Sequence, residues 1–230
     1  MKVTDMLIPR YYFSNDFRDF QKYFFSQPHT VRTFRKNEYL WNYGEPVTHI
    51  FYIMSGVART TLEHENGSRK ISSFHSEGTV FPGCHRSVFK IEQSIATAAV
   101  TDMETLCFSN DDFLKMLTEN PQLMLSTVDW YASYINLLLY ESAHQDYNSS
   151  FVKLCNLLYL FSRNSPTGER GRIDLTQESI AEILAVTRVS AARCLGRLRD
   201  EKIIIPHRSW IQIIDQKALE AYCSSETLQS

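Results

Sequence analysis

Four arginines lie within thirteen residues near the end of the chain, in the segment TRVSAARCLGRLR (187–199). A guanidinium group donates two parallel hydrogen bonds, which suits a phosphate or the edge of a guanine base. The whole chain carries a formal charge of −2, whereas residues 151–230 hold 11 Lys and Arg against 9 Asp and Glu. Positive charge concentrated in one segment of an acidic chain is typical of a nucleic-acid contact surface.

The elements that would hold these arginines are two helices joined by a short turn. The stretch 175–204 predicts helices at about Gln177–Leu184 and Arg188–Glu201, capped by Thr176 and Thr187. Ala185 stands in the turn, where this motif usually has glycine. The inward-facing residues would be Ile180, Ala181, Leu184, Ala191, Cys194, Leu195 and Leu198. This spacing predicts a helix-turn-helix, and an ordinary helix pair with a solvated basic face is the alternative.

A helix-turn-helix places the first half of its second helix in the major groove of DNA. The strand-turn-strand pattern at 202–215 predicts a β-hairpin wing, and Asp215 would cap a last helix at Gln216–Tyr222. The predicted DNA-contacting residues are Thr176, Gln177, Thr187, Arg188, Val189, Ser190, Arg193, Arg197, His207 and Arg208. We expect Arg188 and Arg193 to read bases or phosphates, Arg197 to contact the DNA backbone, and Arg199 to be solvated.

Residues 31–108 show short strand patterns separated by glycine turns. The run 49–56 alternates around Ile50, Tyr52 and Met54, and Asn66-Gly67 separates two strand-like runs as in a β-hairpin. Many short strands of this kind predict a small antiparallel barrel or roll.

The hydrophobic period changes to that of a helix at Ser109. A helix capped by Ser109 or Asn110 is expected to end near Pro121, and a longer helix follows over 121–147. That helix would span about 40 Å, which is more than a small barrel can cover. Its apolar seam has the three- and four-residue spacing of a two-helix interface. The seam comprises Leu125, Val128, Ala132, Ile135, Leu139 and Ser142. We therefore expect dimerisation, with packing inside one chain as the alternative.

Several classes of protein are disfavoured by the composition. No run approaches 18 apolar residues, and the N-terminus lacks the apolar core of a signal peptide, so a cytoplasmic protein with no membrane partner is expected. The five cysteines form no C-x-x-C pair, which argues for reduced, mostly buried thiols. The histidines form no H-x-H motif of a metal-dependent roll enzyme, so we expect no enzymatic activity.

A roll, a long helix and a winged helix-turn-helix, in this order, resemble the CRP/FNR family of bacterial transcription regulators. GEPVTHIFYIMSGVARTTLEHENGSRKISSFHSEGTVF and LTQESIAEILAVTRVSAARCLGRLRDEKII carry the resemblance, which covers about 20–222. It implies an α+β chain with an effector-sensing, cyclic-nucleotide-binding-like roll (1–120), a dimerisation helix (121–147) and a DNA-binding domain (148–230). It also implies a homodimer on a palindromic operator of double-stranded DNA, controlled allosterically, with RNA polymerase as a partner if the protein activates transcription. A ligand-sensing signalling subunit that does not bind DNA is the alternative.

The family resemblance weakens in FPGCHRSVFKIEQSIATAA (81–99). The acidic residue and the arginine of the cyclic-nucleotide cassette are absent, which argues against cyclic AMP. No cysteine precedes Cys84, which argues against the N-terminal iron–sulfur cluster of oxygen-sensing members. Cys84 and His85 are the candidates for the haem ligands of gas-sensing members, although one adjacent pair gives little support.

A small aromatic anion is the effector that we expect instead, because aromatic walls with one or two cations suit it. Its predicted binding residues are Phe81, His85, Arg86, Phe89, Lys90, Tyr131 and Tyr134. An aromatic core with surface charges is the alternative for these residues.

The second helix of the motif departs from the family at Val189, where most members have glutamate. In this position the segment resembles the chlorophenol-responsive regulators of halorespiration, which also have valine there, and this is the subgroup that the resemblance suggests. Their phenolate is bound partly by a lysine on the long helix, but here no Lys or Arg lies between Lys115 and Lys153.

Val189 generates a prediction about the operator. Glutamate can accept a hydrogen bond from cytosine, whereas valine offers only apolar contact to a thymine methyl group. We expect a relaxed G·C preference at the base pair facing Val189, with a shift toward A·T. Selection from a randomised operator library checks this, and recovery of a fixed G·C pair at that step would contradict it.

Overall fold

Short strands and tight turns make up the first half of the chain. The structure is a computed structural model that describes residues 7–87, 89–163 and 169–228. The strands are, in chain order, β1 (Tyr12–Phe13), β2 (Thr30–Phe34), β3 (Tyr39–Trp41), β4 (His49–Ser55), β5 (Val57–Glu63), β6 (Arg69–Ser76), β7 (Val80–Phe81), β8 (Ile95–Ala99) and β9 (Met103–Ser109). A short helix, α1 (Gln21–Ser26), lies between β1 and β2.

These strands form two sheets, and the predicted antiparallel roll is confirmed. One sheet has the order β1-β6-β5-β8-β3 and the other has the order β2-β9-β4-β7. Each pairing among β2 to β9 is antiparallel. The hairpin predicted at Asn66-Gly67 joins β5 to β6, and Gly67 adopts a φ of +80°, which glycine tolerates without steric cost.

The alternation predicted for β4 is wrong, because this strand is covered on both faces. Ile50, Phe51, Tyr52 and Ile53 are all buried, each at 2% exposure or less. The Tyr52 ring packs 4.8 Å from the ring of Phe24 in α1, whereas the Phe51 ring faces Trp41. A central strand between two layers is apolar on both faces, so its sequence shows a continuous run.

The helices that follow match their predicted bounds, because their end signals are local. The helix α2 (Asn110–Glu119) begins after Ser109, whose hydroxyl accepts from the Asp112 amide at 3.1 Å. The long helix α3 covers Pro121–Tyr147, as expected. Within the described ranges, no helix combines the length and the apolar character needed to cross a bilayer.

The last part of the chain holds the predicted winged helix-turn-helix. Its elements are α4 (Ser150–Arg163), β10 (Arg172–Ile173), α5 (Gln177–Leu184), α6 (Arg188–Asp200), β11 (Ile204–Pro206), β12 (Ile211–Ile213) and α7 (Gln216–Glu220). The three strands form one sheet of order β10-β12-β11. The strand β10 was not predicted, since two residues are too short to show a period.

The turn between α5 and α6 depends on a left-handed residue. Ala185 has φ of 50° and ψ of 45°, and the amide of Val186 donates to the Ala181 carbonyl at 3.0 Å. Glycine usually occupies such a helix end because it has no Cβ. This chain forms the left-handed turn with alanine, so the helix-turn-helix is retained although the usual glycine is absent.

The chain divides into two compact units, Phe13–Ser133 and Tyr134–Ser230 with Met1–Tyr12. The division falls inside α3. The three domain boundaries expected from the sequence stay a prediction.

Candidate nucleic-acid interface and effector site

The two helices of the motif are each fixed at their first turn by a threonine. Thr176 accepts a hydrogen bond from the Ser179 amide, and Thr187 accepts one from the Ser190 amide, both at 3.1 Å. Such caps satisfy amide groups that have no partner within the helix. The predicted cap residues are thus confirmed, and α6 starts at Arg188.

The rotation of α6 about its own axis is set by an apolar stripe. Ala191, Cys194, Leu195 and Leu198 are all buried, as predicted. Residues at this spacing lie on one face of a helix, so the opposite face must point outward. Val189 is 78% exposed on that outward face. The remaining exposed side chains of α6 are Arg188, Ala192, Arg193, Arg197, Arg199 and Asp200.

The arginines of α6 lie in different electrostatic settings. Arg188 forms an ion pair with Glu178 near the start of α5. Arg193 makes no salt bridge to any residue that the structure describes, and its charge faces solvent. Arg199 pairs with the adjacent Asp200. Arg193 is therefore the arginine of this face that is most available to an anionic partner.

Arg197 is held against the protein surface by a cluster that the sequence did not indicate. Its guanidinium lies 3.9 Å from the ring centre of Phe151 in α4, and its Nε is 2.9 Å from Oε1 of Glu201. The other carboxylate oxygen of Glu201 accepts from the Tyr222 hydroxyl at 2.9 Å. The hydrogen bond to Glu201 raises the pKa of Arg197 and lowers that of the Glu201 carboxyl. Contact of Arg197 with the DNA backbone stays a prediction, and the structure gives it an intramolecular role.

The wing carries an aromatic stack next to its tip. His207 and Arg208 are exposed between β11 and β12, as expected from the sequence. The His207 ring stacks on Trp210 at 3.7 Å, and the Arg172 guanidinium lies 4.7 Å from the Trp210 ring centre. Arg172 also pairs with Asp174 at 3.0 Å. Sequence reasoning missed Arg172 and Trp210, because β10 brings them together from distant parts of the chain.

The residues predicted to bind an effector lie in two different environments. Phe81 is buried and stacks on His75, with 3.7 Å between ring centres. Arg86, Phe89 and Lys90 are exposed. His85 pairs with Glu92 at 3.0 Å, and Lys90 donates to Gln93 at 2.6 Å. Their role in effector binding stays a prediction.

Tyr131 joins the long helix to the segment before it. Its hydroxyl donates to the Cys84 carbonyl at 2.9 Å, and burial raises its pKa to about 12. A Cβ at Gly83 would lie 2.2 Å from the Tyr131 oxygen, so only glycine permits this approach. Tyr134, one turn further along α3, is half-buried.

The Cys84 and His85 side chains each have a partner within the protein. The Cys84 thiol is buried, which raises its pKa to about 11, and it donates to Oδ1 of Asn110 at 3.1 Å. The His85 ring is already engaged with Glu92. Their role as haem ligands stays an untested alternative.

A ladder of buried polar side chains inside the roll was not predicted. Thr60 lies opposite Ser73 on one neighbouring strand and opposite Thr97 on the other. The Thr60 and Thr97 hydroxyls are 3.0 Å apart, and the Ser73 hydroxyl is 2.9 Å from Nε2 of His75. Trp41 is also buried, and its indole N–H has no acceptor among the described residues. No alternation marks this face in the sequence, because Thr60 and Thr61 are adjacent in β5 and Ser72 and Ser73 are adjacent in β6.

The apolar seam predicted on α3 is exposed in the single chain. Leu125 and Val128 are each 57% exposed, Ile135 is 53% exposed and Leu139 is 66% exposed. Ala132 and Ser142 are exposed as well. By contrast, Leu123, Trp130 and Leu137 on the same helix are buried. The seam therefore does not pack inside one chain, which was the alternative.

Two family models match the chain. The cyclic nucleotide-binding domain matches residues 31–120, and the Crp-like helix-turn-helix domain matches residues 152–222. A curated relative, the global nitrogen regulator of Nostoc sp. (strain PCC 7120 / SAG 25.82 / UTEX 2576), is 26% identical over 194 residues, which is 81% of this chain and 86% of the relative.

Solved structures share the fold. FixK2 from Bradyrhizobium japonicum aligns with a TM-score of 0.74 at 18% identity, covering 86% of this chain and 98% of that one. CprK in complex with OCPA aligns with a TM-score of 0.70 at 17% identity, covering 94% of this chain and 100% of that one. At these identities the likeness concerns the fold alone.

The Arg197 cluster generates a prediction about stability. Replacing Arg197 with alanine removes the contact with Phe151 and leaves Glu201 without its cation. We expect Arg197→Ala to lower the midpoint of thermal unfolding by a few degrees. Arg199→Ala, which loses only an exposed pair with its neighbour, is the matched control and should leave the midpoint unchanged. Equal midpoints for the two variants would contradict the structural role of Arg197.

Proposed function

The chain belongs to the CRP/FNR family of DNA-binding transcription regulators, and from this premise we propose that it acts as a homodimer on a two-fold symmetric operator. We further propose that the protein is cytoplasmic and that a small effector bound in the roll controls its binding to the operator. The observation that carries the proposal is the outward face of α6, where Arg188, Val189 and Arg193 are exposed beside a capped helix start.

The DNA-contacting role of that face is supported by its geometry. The outward side of the first half of α6 is exposed and presents hydrogen-bond donors at the spacing of a groove-reading helix. Arg193 offers two parallel donors to a guanine edge or a phosphate. Thr176 and Gln177 at the start of α5, and His207 and Arg208 on the wing, are exposed at positions suited to the DNA backbone.

Homodimer formation is supported by the exposed seam. Four apolar side chains of the seam are more than half exposed, namely Leu125, Val128, Ile135 and Leu139. Their exposure to water is unfavourable, because burial of apolar surface lowers the free energy. The seam repeats at the spacing of a two-stranded coiled coil, so a second copy of α3 would cover it. A dimer also supplies two recognition helices for two half-sites.

The effector site is supported by the polar ladder of the roll. The buried N–H of Trp41 needs an acceptor, and the Thr60 and Thr97 hydroxyls lie on the interior face of the neighbouring strands. An aromatic acid offers both a carboxylate acceptor and a ring for the Trp41 and Phe81 faces, which lie 5.5 Å apart. Binding would require Phe81 and its neighbours to move apart, which couples occupancy to the conformation of the roll.

Two candidates for the effector and the regulated process come from similar proteins. A solved relative of 18% identity is CprK in complex with o-chlorophenolacetic acid, and this favours the aromatic acid and the chlorophenol-responsive subgroup. Three of the curated relatives are global nitrogen regulators, and they favour a role in nitrogen regulation. If the protein activates transcription, RNA polymerase is a further partner.

Arg193→Ala tests the DNA-binding proposal. Removing the one α6 arginine that faces solvent without a described salt bridge should lower operator affinity about tenfold to a hundredfold. Gel-shift titration with a selected operator measures this, and sedimentation of the same variant should still show a dimer. Leu139→Asp is the converse control, since it should sediment as a monomer with α6 unchanged. Unaltered operator binding by Arg193→Ala would contradict the proposal.

Trp41→Phe tests the effector proposal. A panel of small aromatic carboxylates and phenolates is expected to include a compound that raises the unfolding midpoint by binding the native state. Trp41→Phe removes the indole donor, so affinity for that compound should fall about tenfold. Trp210→Phe, in the wing, is the matched control and should retain the midpoint shift. A midpoint raised by cyclic nucleotides and by no aromatic acid would contradict the proposal.

A further inference from the structure

The ion pair between Glu178 and Arg188 joins the two helices of the motif at the surface that faces DNA. Glu178 is the second residue of α5, and Arg188 is the first residue of α6. Their side chains are 57% and 71% exposed, so neither is held in place by burial. The pair uses Nη2 of Arg188, while Nε and Nη1 make no hydrogen bond to any described residue.

The position of Arg188 is unfavourable for the helix itself. The N-terminus of a helix carries partial positive charge, so a cation there is destabilising and an anion is preferred. The first turn of α6 contains no acidic residue, and Glu178 supplies the missing negative charge from α5. Glu178 therefore neutralises an arginine at the point where α6 would enter the groove.

Neutralising Arg188 changes which partner it can bind. A phosphate brought to Arg188 would approach the Glu178 carboxylate and be repelled, and the pair as a whole has no net charge to attract it. The O6 and N7 atoms of guanine are uncharged acceptors, so this repulsion is much weaker for a base edge. The same carboxylate also limits the rotamers of Arg188, which lowers the ordering cost of a two-bond contact.

We propose that Glu178 is a specificity-determining residue, which makes Arg188 a reader of a guanine edge and a poor ligand for phosphate. This inference rests on the proposed binding of DNA by α6. Arg193, five residues along the same helix and without a described carboxylate partner, provides the contrast, because its full charge remains available to phosphate. Arg193 can thus bind either a phosphate or a guanine edge, whereas Arg188 is confined to the base edge.

The proposal predicts the behaviour of Glu178→Gln on a DNA duplex of randomised sequence. Freed from its carboxylate, Arg188 becomes a phosphate ligand, so affinity for random duplex should rise about threefold or more at low salt. The slope of log affinity against log salt should steepen by about one ion. Operator selection should at the same time show reduced guanine preference at the position that Arg188 reads.

Two further variants make the test specific. Glu182→Gln removes one negative charge from the same helix without touching the Arg188 pair, so it controls for the overall field. The double variant Glu178→Gln with Arg188→Ala should bind random duplex no better than Arg188→Ala alone, because the effect passes through Arg188.

The outcomes separate this inference from the proposed function. If the unaltered protein does not bind random duplex at low salt, the DNA-binding proposal fails. If it binds and Glu178→Gln matches Glu182→Gln in affinity and salt slope, the inference about Glu178 alone is overturned. It is overturned as well if the gain from Glu178→Gln persists without Arg188.

Discussion

An apolar stripe along α3 lies exposed in the single chain, and the other features of the protein depend on how it is covered. The α3 residues Leu125, Val128, Ile135 and Leu139 are more than half exposed, although the same helix buries Leu123 and Leu137. An apolar coiled-coil seam exposed on a helix of 27 residues favours a partner surface, because burial of apolar area is stabilising. We propose that a second copy of the helix covers this seam, which would give a symmetric dimer suited to symmetric DNA.

The arginines of α6, the helix that we propose enters the DNA groove, are chemically identical but lie in different environments. Arg193 keeps its charge exposed, Arg188 shares its charge with Glu178, and Arg197 lies over the Phe151 ring. These settings arise because helix rotation is fixed by the buried stripe and by the Thr187 cap. A count of arginines in the sequence treats them as equal, whereas their partners in the structure differ, and the roles that we propose for them in binding phosphate and in reading a base differ accordingly.

Local signals explain why much of this fold was predictable from the sequence. Asn66-Gly67 marked a hairpin, and the threonine caps marked both helices of the motif, because turn and cap chemistry acts over a few residues. Features that depend on contacts between residues far apart in the sequence were not predicted. The strand β4 is buried on both faces only because α1 and β3 cover it, and Arg172 meets Trp210 only through a three-stranded sheet. The polar ladder of Thr60, Ser73 and Thr97 likewise depends on strand register, which the sequence does not specify alone.

The roll and the helix-turn-helix differ in their polar groups, which are buried hydroxyls in the roll and exposed cations in the helix-turn-helix. The central claim is that two chains place two recognition helices on one operator. Hydroxyl-radical footprinting of a selected operator, with the protein-to-DNA stoichiometry determined by native mass spectrometry, tests it most directly. The account predicts two chains per duplex and two symmetric protected patches about 34 Å apart, one turn of the double helix. A single protected patch with one chain bound would contradict it.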